Sequence, residues 1–245
     1  MTRDEQWMSQ RCGRITASEL SDIMSASGKI IDTCVGYIRS KRWEREHGYS
    51  LPVSSRIMDI GNENEPMIYQ WLLANHPGAH DADVVYSKDC DSIPFWSPAD
   101  MPFFGASPDA FTSDEETVFE FKTLVGNEST CFFMDKYTPM VDKKARVLKE
   151  HGDQLMGLFL SNPSVKRIVL VKYAYQRDDV PFDRDSPLAE WRGIEFLFER
   201  NVYLGSIEEM RNRIVLINAM IDAPINPVDF KKGDWAVKDG KLFCP

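Results

Sequence analysis

Paired cysteines, long apolar runs and any surplus of positive charge are all missing from this chain of 245 residues. Its five cysteines, Cys12, Cys34, Cys90, Cys131 and Cys244, are odd in number and scattered. That pattern suits reduced thiols in a cytoplasm better than a disulfide framework. No close Cys pair suggests zinc, and an iron–sulfur cluster would need a tighter set of thiolates. No apolar stretch approaches the length that spans a bilayer, and the charged start Met1-Thr2-Arg3-Asp4-Glu5 does not read as a signal peptide. The expectation is a soluble cytoplasmic protein without membrane contact.

Cations are outnumbered, 29 Lys and Arg against 38 Asp and Glu, for a net charge of −9. This excludes the broadly basic surface that phosphate-binding proteins usually present. A polyanionic partner is compatible only if the cations are gathered in one groove or channel while the outside stays acidic. No linker divides the chain, and 43% hydrophobic residues are enough for a real core. The expected organisation is one domain over residues 1–222, followed by a Pro- and Gly-richer tail over 223–245.

The most informative stretch runs Gly105-Ala106-Ser107-Pro108-Asp109-Ala110, crosses the polar turn Ser113-Asp114-Glu115-Glu116, and returns through Val118-Phe119-Glu120-Phe121-Lys122. Two apolar runs around such a turn predict an antiparallel hairpin centred between Asp114 and Glu115. That centre sets Asp109 opposite Glu120, where side chains on one face lie about 5 Å apart. Period-two alternation puts Glu120 and Lys122 on one face and Phe121 on the other, as core. Two adjacent carboxylates repel each other and repel phosphate, so the pair makes sense chiefly with Mg²⁺ or Mn²⁺ between them. A lysine beside such an ion can orient or help deprotonate an attacking water. An acid two residues before a lysine also occurs at Asp142-Lys143-Lys144, Asp229-Phe230-Lys231 and Asp239-Gly240-Lys241. Only Glu120-Phe121-Lys122 lies in a β-like run with a Pro-Asp strand opposite. A solvated strand face is the plain alternative.

Along the rest of the chain, Thr16-Ala17-Ser18-Glu19 is a capping-box pattern followed by Leu20, Ile23 and Met24 at helical spacing. With Arg11, Arg14 and Ser18 close by, that N-terminus can hold a phosphate, or Thr16 and Ser18 simply cap. A helix from Thr33 to about His47 carries Arg39, Lys41, Arg42 and Arg45 beside Tyr37 and Trp43, either a solvated face or a polyanion path. A second helical region runs from about Ser54 to Asn75, broken near Gly61 and Pro66. There Asn62 and Glu65 have N-cap to N3 spacing, and Glu63 is the neighbouring acid. A strand is expected from about Asp83 to Ser87, then a loop that includes Asp100. Residues 141 to about 161 read as a long helix with Leu148, Leu155, Leu158 and Phe159 buried and Gln154 near that stripe. Its Lys143, Lys144, Arg146 and Lys149 form a basic patch. His151 has no spacing that suggests a metal ligand or a triad. Strands at 168–175 and 193–199 and a helix over 202–221 complete a mixed sheet with helices around it. Trp235 to Phe243, around Asp239-Gly240, reads as a small hairpin.

The order of Ile15-Thr16-Ala17-Ser18, Gly61 to Glu65, Ser107-Pro108-Asp109, Glu120-Phe121-Lys122 and Gln154 resembles the phage lambda type alkaline exonucleases. These belong to the Pro-Asp…(Asp/Glu)-x-Lys nuclease superfamily, and the resemblance covers roughly residues 5 to 220. It implies an α/β, restriction-endonuclease-like core with a central mixed sheet flanked by helices. It further implies Mg²⁺- or Mn²⁺-dependent, 5′-to-3′ digestion of linear double-stranded DNA, leaving 3′ single strands for recombination. Asp109, Glu120, Glu65 and the Phe121 carbonyl would hold two ions, Lys122 and Gln154 would position water, and Arg11, Ser18 and Ser107 would grip the 5′-phosphate. A ring-shaped homotrimer, a single-strand annealing partner and a bacterial or phage-infected host cell are also implied. An endonuclease on the same core would not need the Arg11–Ser18 pocket. A non-catalytic acidic binding protein or DNA mimic would not need Asp109, Glu120 and Lys122 together. A serine-hydrolase reading of Gly105-Ala106-Ser107 fails, because Asp109 stands where the second glycine of a nucleophile elbow belongs.

Overall fold

A computed structural model describes residues 3–23, 30, 32–50, 55–77, 83–175 and 187–244. The first half contains α1 (Arg3–Arg11), β1 (Ile15–Thr16), a 3-10 helix at Ala17–Asp22, α2 (Asp32–His47), α3 (Arg56–Asn75) and β2 (Val84–Tyr86). Then come β3 (Phe104–Gly105), β4 (Ala110–Thr112), β5 (Thr117–Leu124), α4 (Asn127–Met134) and α5 (Met140–Ser161). The chain continues through β6 (Arg167–Ala174), β7 (Gly193–Glu199) and α6 (Leu204–Asp222), and ends with β8 (Ala236–Lys238) and β9 (Lys241–Phe243).

The central sheet has the order β2-β4-β5-β6-β7, with β5 and β6 parallel and the other neighbours antiparallel. A parallel pair needs a long crossover, and α4 and α5 supply it. β5 alternates as period two requires. Val118 and Leu124 enter the larger core with Leu155, Leu158 and Phe159 of α5, while Phe119 and Phe121 meet Ile68, Trp71 and Leu72 of α3 on the other face. β6 is covered on both faces, so it is buried from Ile168 to Ala174 and reads as a nearly unbroken apolar run. Burying Phe121 alone stabilises the fold by about 1.5–3 kcal/mol.

Several sequence expectations are corrected. The helix expected after Thr16 is a short 3-10 helix ending at Asp22; its capping box forms, with the Glu19 carboxylate accepting the Thr16 N–H at 3.2 Å. It lies so close to α5 that a Cβ on Gly157 would come within 2.8 Å of Ala17 Cβ. The helix of residues 56–75 is not broken at Gly61 or Pro66. Pro66 removes one N–H, but the orphaned Asn62 carbonyl sits on an exposed turn that water can reach. Ser55 is the N-cap, accepting from Met58 N at 3.3 Å, so Asn62 does not cap and Glu65 is not an N3 residue. Met24 and Ser54 lie outside the described residues.

Three of the four α2 cations are occupied internally, while Arg39 is exposed. Lys41 is buried between Glu19 and Glu44, at 3.2 and 3.1 Å. Arg42 donates to the carbonyls of Met220, Ile221, Ala223 and Ile225 at 2.6–2.8 Å, tying α2 to the end of α6 and the tail. Arg45 donates to Gly13 O and pairs with Asp222. On α5, Lys143 is buried against Asp135 O at 2.8 Å, Lys144 donates to Leu197 O and Arg146 pairs with Glu150, so the expected basic patch is mostly occupied internally. Leu148 is only partly buried. Phe230 of the tail is fully buried in the larger core, and β8–β9 form the expected hairpin, turning at Asp239 (φ 51°) and Gly240 (φ 72°). Two positive φ values are what a type I′ turn demands.

Candidate active site

Ala110 pairs with Phe119 and Phe111 with Val118, the register of a hairpin centred between Asp114 and Glu115. β4 itself starts at Ala110, so Pro108-Asp109 peels away from the sheet and Asp109 turns its carboxylate inward. Its Oδ2 accepts the Phe121 N–H at 2.7 Å, replacing the ladder bond that β4 no longer provides. Because the N–H and C=O of one strand residue face the same neighbour, the Phe121 carbonyl points to the same edge. Ser87 holds the bend from the other side, its N–H donating to Asp109 O at 3.0 Å and its Oγ to Pro108 O at 2.6 Å.

Glu120 is buried, and its Oε1 accepts from Lys122 Nζ at 2.7 Å and from Gln154 Nε2 at 2.6 Å. Gln154 reaches it because Leu155 and Leu158 anchor that part of α5 in the core. Glu120 Oε2 is buried without any hydrogen-bond partner. Burial, then Glu120 and Glu65, push the Asp109 carboxyl well above the usual carboxylate range. Burial works against the Lys122 ammonium, but Glu120, Asp109 and Glu65 outweigh it and its pKa is raised. Crowded carboxylates, one with an orphaned buried oxygen, are a donor set that fits a hard divalent cation. Among the described residues the carboxylates do not form a preassembled cage of three metal-ligating side chains, because side-chain donors hold two of them in place. Glu65 accepts from Tyr86 Oη at 3.1 Å and pairs with Lys88 Nζ at 2.7 Å.

On the facing wall, Arg11 Nη2 donates to Thr16 Oγ1 at 2.9 Å and Ser18 Oγ at 3.0 Å, and its guanidinium lies 4.3 Å from the Trp7 ring centroid. Arg14 turns instead toward Phe95, at 5.3 Å from its ring. Ser107 Oγ is buried and unpartnered. All nine candidates, Arg11, Ser18, Glu65, Ser107, Asp109, Glu120, Phe121, Lys122 and Gln154, line one cleft of about 750 Å³. Glu63 is exposed and Asp100 pairs with Arg211, both away from that lining.

His151 is not isolated. Its Nε2 accepts from Lys172 Nζ at 2.8 Å, and burial together with Lys172 and Lys122 lowers its pKa to about 3, so it is neutral at neutral pH. Sequence reasoning also missed Tyr86 and Lys88. Their partner Glu65 is more than 20 residues away in the chain, and no spacing rule links a strand end to a helix face that distant.

The fold recurs in solved structures. The alkaline exonuclease LHK-Exo of Laribacter hongkongensis aligns with a TM-score of 0.60 over 93% of this chain and 97% of that one, at 19% identity. The same enzyme in complex with dAMP gives a TM-score of 0.58 at 19% identity, over 93% of this chain and 97% of that one. A phage-related exonuclease of Haemophilus somnus gives 0.58 at 15% identity, over 85% of this chain and 93% of that one. No protein-family model matches the sequence. No curated protein matches it either. The chain therefore has the fold of these exonucleases, across nearly its whole length.

Proposed function

We propose that the chain is a metal-dependent exodeoxyribonuclease that digests linear double-stranded DNA from 5′-phosphorylated ends. The observation that carries this reading is one cleft holding both the Asp109–Glu120–Lys122 group and the Arg11–Thr16–Ser18 donor cluster. A terminal phosphate seated by Arg11, Ser18 and the unpartnered Ser107 hydroxyl fixes where the strand begins. Only an end-binding enzyme needs that pocket, which favours the exonuclease over an endonuclease on the same fold. The solved neighbours support it by fold, and the dAMP complex of LHK-Exo suggests a deoxynucleoside monophosphate as the class of product released.

Asp109, Glu120, the Phe121 carbonyl and Glu65 are the residues that would hold Mg²⁺ or Mn²⁺. The bound cation supplies polarisation of the phosphoryl oxygen and neutralises charge at the leaving oxygen. Lys122 Nζ keeps N–H donors beyond the one on Glu120, and these orient the attacking water. Gln154 fixes Glu120 Oε1 so that Oε2 stays turned to the site. The reading extends to a ring-shaped homotrimer and a strand-annealing partner in recombination; sedimentation of the purified protein at three times the chain mass checks the first.

The test is digestion of 5′-phosphorylated linear, 5′-hydroxyl linear and covalently closed circular duplex DNA with Mg²⁺ or Mn²⁺. Phosphorylated linear DNA should disappear fastest and circles should survive. Lys122→Ala should lower the rate by about 10²- to 10⁴-fold, the range of a positioned acid–base group. Cut circles would make it an endonuclease, and no cutting with either metal would make it a binding protein.

A further inference from the structure

Among the described residues lining the cleft, the acids are Glu65, Asp109 and Glu120 and the bases are Arg11, Lys88 and Lys122. Formal charge there is thus balanced, in a chain whose net charge is −9. Two of the bases are held by the acids themselves, Lys122 by Glu120 and Lys88 by Glu65, each at 2.7 Å. A cleft in this state offers a DNA strand little net attraction. Lys88 nevertheless keeps 37% of its side chain exposed, while Glu65 is at 13% and is held a second time by Tyr86. The carboxylate is fixed and the ammonium is the movable partner.

We infer that Lys88 is a DNA-phosphate-binding residue that exchanges partners, from Glu65 in the metal-free cleft to a phosphate of the bound strand once Glu65 serves a divalent cation. This rests on the nuclease reading above and deepens it. Lys88 competes with the cation for the same carboxylate, and a divalent ion makes the stronger claim on that oxygen. The released ammonium sits one residue after Ser87, whose hydroxyl and N–H fix Pro108 and Asp109, so it faces the strand beside the catalytic hairpin. Metal loading would therefore turn a neutral cleft cationic and make DNA affinity depend on metal before any bond is broken.

The experiment measures two affinities on the intact chain and its Lys88→Met and Lys88→Arg variants. Anisotropy follows a 5′-phosphorylated duplex with phosphorothioate ends, in Ca²⁺ or EDTA and across a salt series. Calorimetry follows Mn²⁺ binding without DNA. For the native chain, DNA binding should be several-fold tighter in Ca²⁺ than in EDTA. Lys88→Met should bind DNA several-fold more weakly, with a log–log salt slope shallower by about 0.9. It should bind Mn²⁺ as tightly or more tightly, because Glu65 has lost its competing ammonium, and Lys88→Arg should restore the slope. Weakening of both affinities together would mean that Lys88 only shapes Glu65, which overturns the exchange. An unchanged salt slope overturns it as well. A native chain that binds no DNA with metal overturns the nuclease reading along with it.

Discussion

Asp109 shows most directly how burial and crowding can destabilise the charged form of one residue. Its carboxylate is crowded by Glu120 and Glu65, and only the Phe121 N–H and Lys122 offset that crowding. Burial and these neighbours raise its folded pKa above the unfolded value of about 3.9. Below the unfolded value both states carry the proton and the group contributes nothing to the pH dependence. As pH rises through the window up to the folded pKa, the unfolded chain ionises first, so the metal-free protein loses stability there and stays at the lower level above it. Asp109→Asn should flatten this loss, raising the melting temperature in EDTA at neutral pH while abolishing both activity and the stabilisation by Mg²⁺. Thermal scans from pH 4 to 8, with and without metal, read this out; a variant that melts lower in EDTA at every pH would refute the strain.

At the scale of elements, α3 is the least expected piece. It runs unbroken through Pro66 and carries Glu65 into the cleft on a face fixed by Ile68, Trp71 and Leu72. The proline costs one backbone bond to Asn62, and tertiary packing outweighs that loss. Pro66→Ala should therefore stabilise the protein by about 1–3 kcal/mol, measured by urea unfolding, because it restores the bond at an exposed turn. The hairpin is the opposite case: a local turn and period-two alternation predict its register, and Ala110 and Phe111 pair with Phe119 and Val118 about the expected centre. The basic helices misled for a physical reason. Sequence shows where a cation sits on a helix, but not that a carbonyl cluster such as the end of α6 lies within reach of it.

Across the whole molecule, the tail is a working part of the core. Phe230 is fully buried among residues of the main cluster, and Arg42 joins α2, α6 and the tail through four carbonyls. Arg42→Met should cost about 2–4 kcal/mol, since a charged donor contributes ~1.5–3 and the carbonyls left behind are only partly rehydrated. Urea unfolding with an unchanged m-value checks it, and a loss under 1 kcal/mol would remove the clamp. No described helix is long and apolar enough to cross a membrane.

The sequence by itself determined what depends on near neighbours: the hairpin and its register, the capping box at Thr16, the Asp239-Gly240 turn, and strands and helices marked by apolar period. Only the tertiary structure decided which distant groups meet. Arg11 and Ser18 face the hairpin because Gly157 lets the 3-10 helix lie against α5, and Glu65 joins Asp109 because α3 covers the sheet. Lys88, Tyr86 and His151 gained partners that no spacing announced. Local hydrogen bonding and periodicity act over a few residues and are written in order along the chain. Ion pairs and burial act through space, and only the packed fold brings those partners together.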